Sequence, residues 1–523
     1  MAEVSERPHQ SARPSDAILS RCVVLIAIGC FLFSVASIFA GFHHSIFDFH
    51  AFRQSQTAIT AEYLARGGPF FRYETPVFGP PWSIPFEFPL YQKIVALLAQ
   101  HLHTRLDETG RAVSIAFFYL SFFPLMSILR RLGYSRVQSL AVLSLVAVSP
   151  LYIFVSRLFM IESTALFLSI MYVDQTLALI HGRTQRRYGY MLSAGIFGIL
   201  AGLVKVTTFA PYLILGCALL AWRIWKLHKQ RILLVPSAAA AVVSCVVLPV
   251  LCTSLWTRFA DAQKVKNPSG VFFTSRNLMS FNFGTLAERL DPANYTRLMH
   301  AVAGQIGSLP LLILLALVYG TVVRRWNYAA LAGIALYIIT PMIFFNLHVL
   351  HTYYPYSSTI FLIVAAGLLI ADMLALPGRK AWIGFVFLAA IVAACVDRYR
   401  MDFYPIQRID APGRPAAAAI IDRTTRPNDV IVITGLDWSS ELPYQSHRRA
   451  IMDSSGVAYH FPHNLGPIER TIRNQHADTI PEMVVCDDAR GSDRAKALLQ
   501  LLGIPPSATL HADNCNIYPR SVK

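Results

Sequence analysis

Charged side chains are scarce in this chain. Only 15% of its 523 residues are Asp, Glu, Lys or Arg, where a soluble protein carries about a quarter. That shortage excludes an ordinary water-soluble globule. Phosphate-cradling glycine loops are missing too: "DVIVITG" at 429–435 ends in one glycine with no G-x-G-x-x-G after it, so a dinucleotide site has no support. No period of roughly 20–50 residues repeats, which excludes a solenoid. Matching halves of the kind that mark many transporters are also absent.

Cysteine is nearly absent from the polar segments. Six of the eight (Cys22, Cys30, Cys217, Cys245, Cys252 and Cys395) fall in apolar runs and read as small core residues. Only Cys486 and Cys515 sit in the polar C-terminal region. If that region lies outside the cytosol the two can pair, but spacing alone leaves the pairing open.

What the chain has in abundance is apolar sequence, 54% of all residues. Uncharged runs at about 22–42, 111–129, 138–156, 158–180, 188–205, 207–225, 232–256, 307–323, 328–347, 355–376 and 381–396 each approach the ~20 residues that cross a bilayer core. The sequence therefore predicts a mainly α integral membrane protein with about eleven transmembrane helices. Net charge is +16, but the basic residues collect in short loops: Arg130 and Arg131, Arg186 and Arg187, Arg223 and Lys226, Arg324 and Arg325, Arg379 and Lys380. That is the positive-inside pattern, not a nucleic-acid footprint. It predicts segments 43–110, 257–306 and 398–523 on the outer side.

Three regions follow. Residues 1–20 read as a disordered cytoplasmic tail, 21–397 as the membrane module, and 398–523 as a small outer α/β domain. In the last, "DVIVITG" and "EMVVCDD" are β-branched runs, each followed by helix-like sequence.

"FDFHAFRQSQTA" at 47–58 opens the first outer loop. At helical spacing Arg53, Gln56, Thr57 and Thr60 form a polar stripe, and Phe52, Ile59 and Tyr63 an apolar one. This predicts an amphipathic helix on the membrane surface, with Asp48 available as its N-cap. A proline-rich stretch with Pro76, Pro80, Pro81 and Pro85 leads to a second helix from Pro89. Its expected apolar face is Leu90, Ile94, Leu97 and Leu98. The two helices make a jaw carrying Asp48, Arg53, Glu74 and Glu87.

At these residues the chain resembles the GT-C superfamily glycosyltransferases. An acidic residue opens the first outer loop, followed by R-Q-x-Q-T-A and E-F-P-L-Y-Q. The closer likeness is to the bacterial branch related to protein mannosyltransferases and the lipid A aminoarabinose transferase. "SRLFMIEST" (156–164), "LVKVTTFAP" (203–211), "FNFGTLAERL" (281–290) and "NLHVLHTYYP" (346–355) are similar to further family elements. Protein mannosyltransferases carry adjacent Asp-Glu here, whereas Asp48 is followed by Phe49.

The resemblance implies transfer of a sugar from a polyprenyl-phosphate carrier to an acceptor hydroxyl on an envelope glycan, lipid or protein, at the outer face of a bacterial inner membrane. It implies Asp48 as base, with Arg53 and Glu162 beside it. Lys205, His348, His351 and Tyr353 are the expected holders of the donor phosphate; Glu74, Glu87 and Gln56 belong to the jaw or acceptor side. Lys205 at a span end also reads as an interfacial lysine, or as the cross-helix partner of Glu162. His348 and His351 admit a divalent metal as cofactor. Two other classes remain open: a polytopic lipid or sugar transporter or flippase, and an inactive scaffold relative.

Overall fold

The computed structural model describes residues 14–181, 186–229, 236–461, 464–507 and 509–520. All eleven expected spans appear as apolar helices. Eight are long and apolar enough to cross a membrane. Two more are bent pairs, Arg136–Val148 with Pro150–Ser156 at 60° and Pro292–Ile306 with Leu309–Val322 at 79°. The last, Tyr328–Ile343, is shorter, at 16 residues. This is a multi-pass membrane protein.

Two helices form the centre of the bundle. In Glu162–His181 and Tyr356–Leu374, 83% and 78% of the apolar window is buried, whereas Ala17–Ile38 buries 22% of its own. Small residues permit the close approach. A methyl on Gly216 would meet Tyr172 Oη at 2.1 Å, and one on Gly367 would meet Val142 Cγ1 at 2.9 Å. Close backbone contact at such residues is how helices associate where lipid supplies no hydrophobic drive.

Several expectations need correction. Helix starts at Pro14, so part of the expected tail is ordered; residues 1–13 lie outside the described residues. The long outer segment 257–306 is not a plain loop. Helix Leu248–Lys264 runs into it and Pro292–Ile306 occupies its end, turning at Gly307 with φ +85°. Lys264 is accordingly buried, with Nζ 5.0 Å from the Phe86 ring centroid.

The span expected at 138–156 breaks because Pro150 has no N–H to donate. It is followed by a non-helical stretch before Glu162, which opens its helix rather than lying one turn in. The last span continues to Gln407, so the α/β part starts later than 398.

That part is a five-stranded sheet of β1 (Val430–Thr434), β2 (Arg449–Asp453), β3 (Glu482–Cys486), β4 (Leu510–Ala512) and β5 (Cys515–Pro519), in order β2-β1-β3-β5-β4. β1 pairs parallel with β2 and β3, while β5 is antiparallel to both β3 and β4. Cys486 and Cys515 face each other across β3 and β5 and form a disulfide.

The proline-rich linker joins this sheet. Ala450 N–H donates to Pro76 O at 2.9 Å and Met452 N–H to Val77 O at 2.9 Å, so the linker lies along the β2 edge. Gly79 is required there: φ is +76° and a Cβ would stand 2.2 Å from Thr471 Cγ2.

Candidate active site

The first jaw helix is Ala51–Ala65, but Asp48 does not cap it. The N-cap is His50, at φ 68°, with no side-chain capping bond. The polar stripe is buried rather than wet: Gln54, Ser55, Gln56, Thr57 and Thr60 are all enclosed. The helix is covered by the second jaw helix, Leu90–Leu102, and by Trp438, whose ring meets Phe52 at 4.7 Å. On that second helix the buried face is Tyr91, Gln92, Val95, Ala96 and Ala99; Leu97 and Leu98 are exposed. Leucines turned outward suit a helix bordered by lipid.

Freed from capping, Asp48 points inward. Its Oδ2 lies 2.8 Å from Arg157 Nη1 and 3.8 Å from Arg111 Nη2. Its Oδ1 accepts from Gln54 Nε2 at 2.6 Å. The Asp48 and Arg157 side chains are 2% and 1% exposed. Arg111 donates to the carbonyls of Gly41, Phe42 and Ser45, fixing the turn that delivers Asp48. Gln54 Oε1 accepts from Phe159 N–H at 2.9 Å and so ties the jaw to the break after Arg157. Asp48 Oδ2 and all three Arg157 guanidinium nitrogens make no well-directed hydrogen bond. Buried polar groups are usually satisfied, so this pair retains free donor and acceptor capacity.

A second pair stands in the same neighbourhood. Glu162 Oε1 accepts from Lys205 Nζ at 2.5 Å, while Glu162 Oε2 is buried without a hydrogen-bond partner. Lys205 is the C-cap of Arg187–Val204. Its ammonium lies 4.5 Å from the Tyr354 ring centroid and 5.3 Å from that of Tyr353. At 5% side-chain exposure it does not snorkel.

Arg53 forms a third pair with Glu87, and its Nη1 donates to Gln56 Oε1 at 2.7 Å. Burial alone would raise the Glu87 carboxyl, but Arg53 and Lys205 outweigh it and hold it below the usual range. Burial would lower Arg53; Glu87 outweighs this and holds it well above its ordinary value.

Aromatic and imidazole rings close one side. His50 packs edge-on to Tyr353 at 4.9 Å, and His351 meets Tyr353 and Tyr354 at 5.4 and 5.7 Å. Burial pushes His50, His348 and His351 down to about 4, so all three are neutral at neutral pH. His348 Nδ1 is 2.9 Å from Phe344 O and its Nε2 is buried without a partner. Among the described residues no three His, Cys, Asp or Glu side chains come together to hold a metal.

Of the expected residues, Asp48, Arg53, Glu162, Lys205, His351, Tyr353, Glu87 and Gln56 gather in this region. Glu74 does not: it pairs with Arg449 at 2.6 Å, between jaw and sheet. The residues sequence reasoning left out are Arg111, Gln54, His50 and the role of Arg157. Arg111 did carry a signal, a basic residue opening a span on the side where basic residues are few.

No protein-family model and no curated protein matches the sequence. Solved structures do. The structure of ArnT from Cupriavidus metallidurans bound to undecaprenyl phosphate is 14% identical with TM-score 0.60, covering 96% of this chain and 98% of its own. The Archaeoglobus fulgidus oligosaccharyltransferase, in complex with Zn and sulfate, is 12% identical at TM-score 0.50, with 94% and 73% covered. Arabinofuranosyltransferase AftD from Mycobacteria is 14% identical at TM-score 0.55, and here the match takes in 96% of this chain but 40% of that one. The chain has the GT-C fold that these membrane glycosyltransferases share.

Proposed function

We propose that this protein is a membrane glycosyltransferase moving a sugar from a polyprenyl-phosphate carrier to an acceptor hydroxyl on an envelope glycan, lipid or protein. The observation that carries this reading is the convergence of three acid–base pairs, the buried Asp48–Arg157 and Glu162–Lys205 and the half-buried Arg53–Glu87, around one ring-lined region. Burying so many charges is costly unless they serve a purpose, and the ArnT neighbour holds undecaprenyl phosphate.

The chemistry assigns each pair a task. The acceptor oxygen attacks the anomeric carbon. A new C–O bond forms as the bond from that carbon to the phosphate oxygen breaks, and the electron pair leaves with the phosphate. Asp48 takes the hydroxyl proton, a contribution of roughly 10²–10⁴-fold for a well-placed base. The donor phosphate is a diester with one negative charge and the departing monoester has two. Lys205, Arg53 and Arg157 stabilise that growing charge, where preorganised cations in a dry site act most strongly. Glu162 and Glu87 hold Lys205 and Arg53 in place until phosphate takes over as partner. Neutral His50 and His351, with Tyr353 and Tyr354, wall the site from water.

The basic loops argue that the site and the α/β part face the periplasm of a bacterial inner membrane, and the Cys486–Cys515 disulfide fits an oxidising compartment. The test is direct: purified protein with a radiolabelled polyprenyl-phosphate sugar should release free polyprenyl phosphate when acceptor is added. No release with any envelope acceptor extract would overturn the proposal.

A further inference from the structure

On the membrane face opposite Asp48 the bundle contains a feature the proposed reaction does not use. Arg111, beside Asp48, lies near the start of the Leu106–Arg131 span, and Tyr134 follows its far end. At about 1.5 Å rise per residue such a helix crosses the whole bilayer. Tyr134 Oη accepts from Asn327 Nδ2 at 2.8 Å, and the Asn327 amide also reaches Asp372 Oδ2 at 3.0 Å. Asn327 therefore marks the other interface.

There, between Leu309–Val322 and Tyr328–Ile343, opens a crevice of about 430 Å³. Its walls are apolar, with Ala316, Gly320, Leu331 and Leu369 among them. Ala316, Gly320 and Leu331 are exposed on the flank of the bundle, where the surroundings are acyl chains. Gly320 has open space where a side chain would stand.

The mouth is cationic. Arg324, Arg325 and Trp326 line it. Arg325 is matched by Asp372 at 3.4 Å, whose carboxylate also accepts from Tyr319 Oη at 2.8 Å. Arg324 has no carboxylate within ion-pair reach among the described residues. It is exposed, at φ +54°, and its Nε donates to Thr321 O at 3.1 Å. That backbone conformation is uncommon for a residue other than glycine. Trp326, 74% exposed, is the residue type that settles at lipid headgroups.

We infer that this crevice is a binding site for an anionic phospholipid, one acyl chain lying between the two helices and the headgroup phosphate on Arg324. The two halves of the site make complementary demands. A zwitterionic lipid would fill the apolar walls equally well but would bring its own cation to an arginine-lined mouth. A soluble phosphate would meet Arg324 but leave the walls empty. Basic pockets between helices at this interface are a general route to anionic lipid retention.

Two variants separate these contributions without touching the proposed active site. Arg324→Gln removes the uncompensated cation, and Gly320→Leu fills the crevice at a position with no neighbour to clash. Native mass spectrometry of the full-length detergent-solubilised protein, titrated with phosphatidylglycerol, phosphatidylcholine or inorganic phosphate, reads binding. Wild type should retain phosphatidylglycerol in preference to phosphatidylcholine, with no inorganic phosphate adduct. Arg324→Gln should weaken phosphatidylglycerol by roughly tenfold, the worth of one charge-assisted hydrogen bond, and abolish the preference. Gly320→Leu should lower retention of both lipids. Equal retention of the two lipids by wild type would overturn the inference. So would unchanged phosphatidylglycerol binding in both variants, each shown by gel filtration to be folded.

Discussion

Asp48 Oδ2 and Arg157 Nη1 lie 2.8 Å apart, inside the protein, on two segments that regular helix does not reach. Asp48 precedes the jaw helix in a turn, and Arg157 ends a short helix before a break. Neither residue could be held by its own element. Arg111 and Gln54 bring them together by bonding the carbonyls and amide around them. Mutating either member leaves a buried charge unpaired, which costs about 3–5 kcal/mol. Any functional test of Asp48 must therefore report folding separately.

Lys205 gives a cleaner prediction when changed together with its partner. Lys205→Gln alone should weaken binding of a polyprenyl-phosphate analogue roughly ten- to hundredfold, the worth of a charge-assisted hydrogen bond of about 1.5–3 kcal/mol. It should also lower thermal stability, because Glu162 is left buried and alone. Adding Glu162→Gln should restore most of the stability while donor binding stays weak. Restoration of both by the double variant would make the pair structural.

A solvated histidine gains charge below about pH 6.5 and would then help hold a phosphate. Burial at His348 and His351 works against this. Burial lowers both to about 4, so they are neutral in the folded protein near neutral pH. The unfolded chain binds their protons below about 6.5, so the stability linked to them is complete above that pH and is lost as pH falls toward 4. Donor affinity should be flat from about pH 6 to 8 on their account. A step in affinity near 6.5 that vanishes in His351→Gln would contradict this.

Topology is checked by single cysteines reacted with an impermeant maleimide in intact spheroplasts. Ser454 is unsuitable because it is 2% exposed; the Asp493 side chain is fully exposed. Asp493→Cys should label without lysis. Labelling only after lysis would place the sheet in the cytosol and turn the proposed site to the wrong face.

Much of this architecture was legible in the sequence because bilayer crossing imposes a length and a composition on each helix. Among the described residues each of the eleven apolar runs holds an apolar helix for that reason, even where Pro150 breaks one. The strands at 430–434 and 482–486 were legible as β-branched runs between turn residues. What could not be read was partnership. The polar stripe of "RQSQT" looked solvent-facing because amphipathicity reveals two faces without saying what covers each. Here the polar residues are enclosed by partners from separate segments: Arg53 meets Glu87, and Gln54 meets Asp48 and the Phe159 amide. Asp48 looked like a cap because it stands just before a helix, whereas the left-handed turn at His50 takes that place. Arg157 and Glu162 are five residues apart in sequence, and the break between them leaves each free for a different partner.

The central claim is that Asp48 receives the acceptor proton. It is tested most directly by measuring donor binding and sugar transfer side by side in wild type and Asp48→Asn, both confirmed as folded. The account predicts that Asp48→Asn still binds the polyprenyl-phosphate analogue within about threefold, since Lys205 and Arg53 remain (threefold is well under 1 kcal/mol), while transfer falls by at least a hundredfold. Transfer close to wild type in a variant that binds donor normally would contradict it.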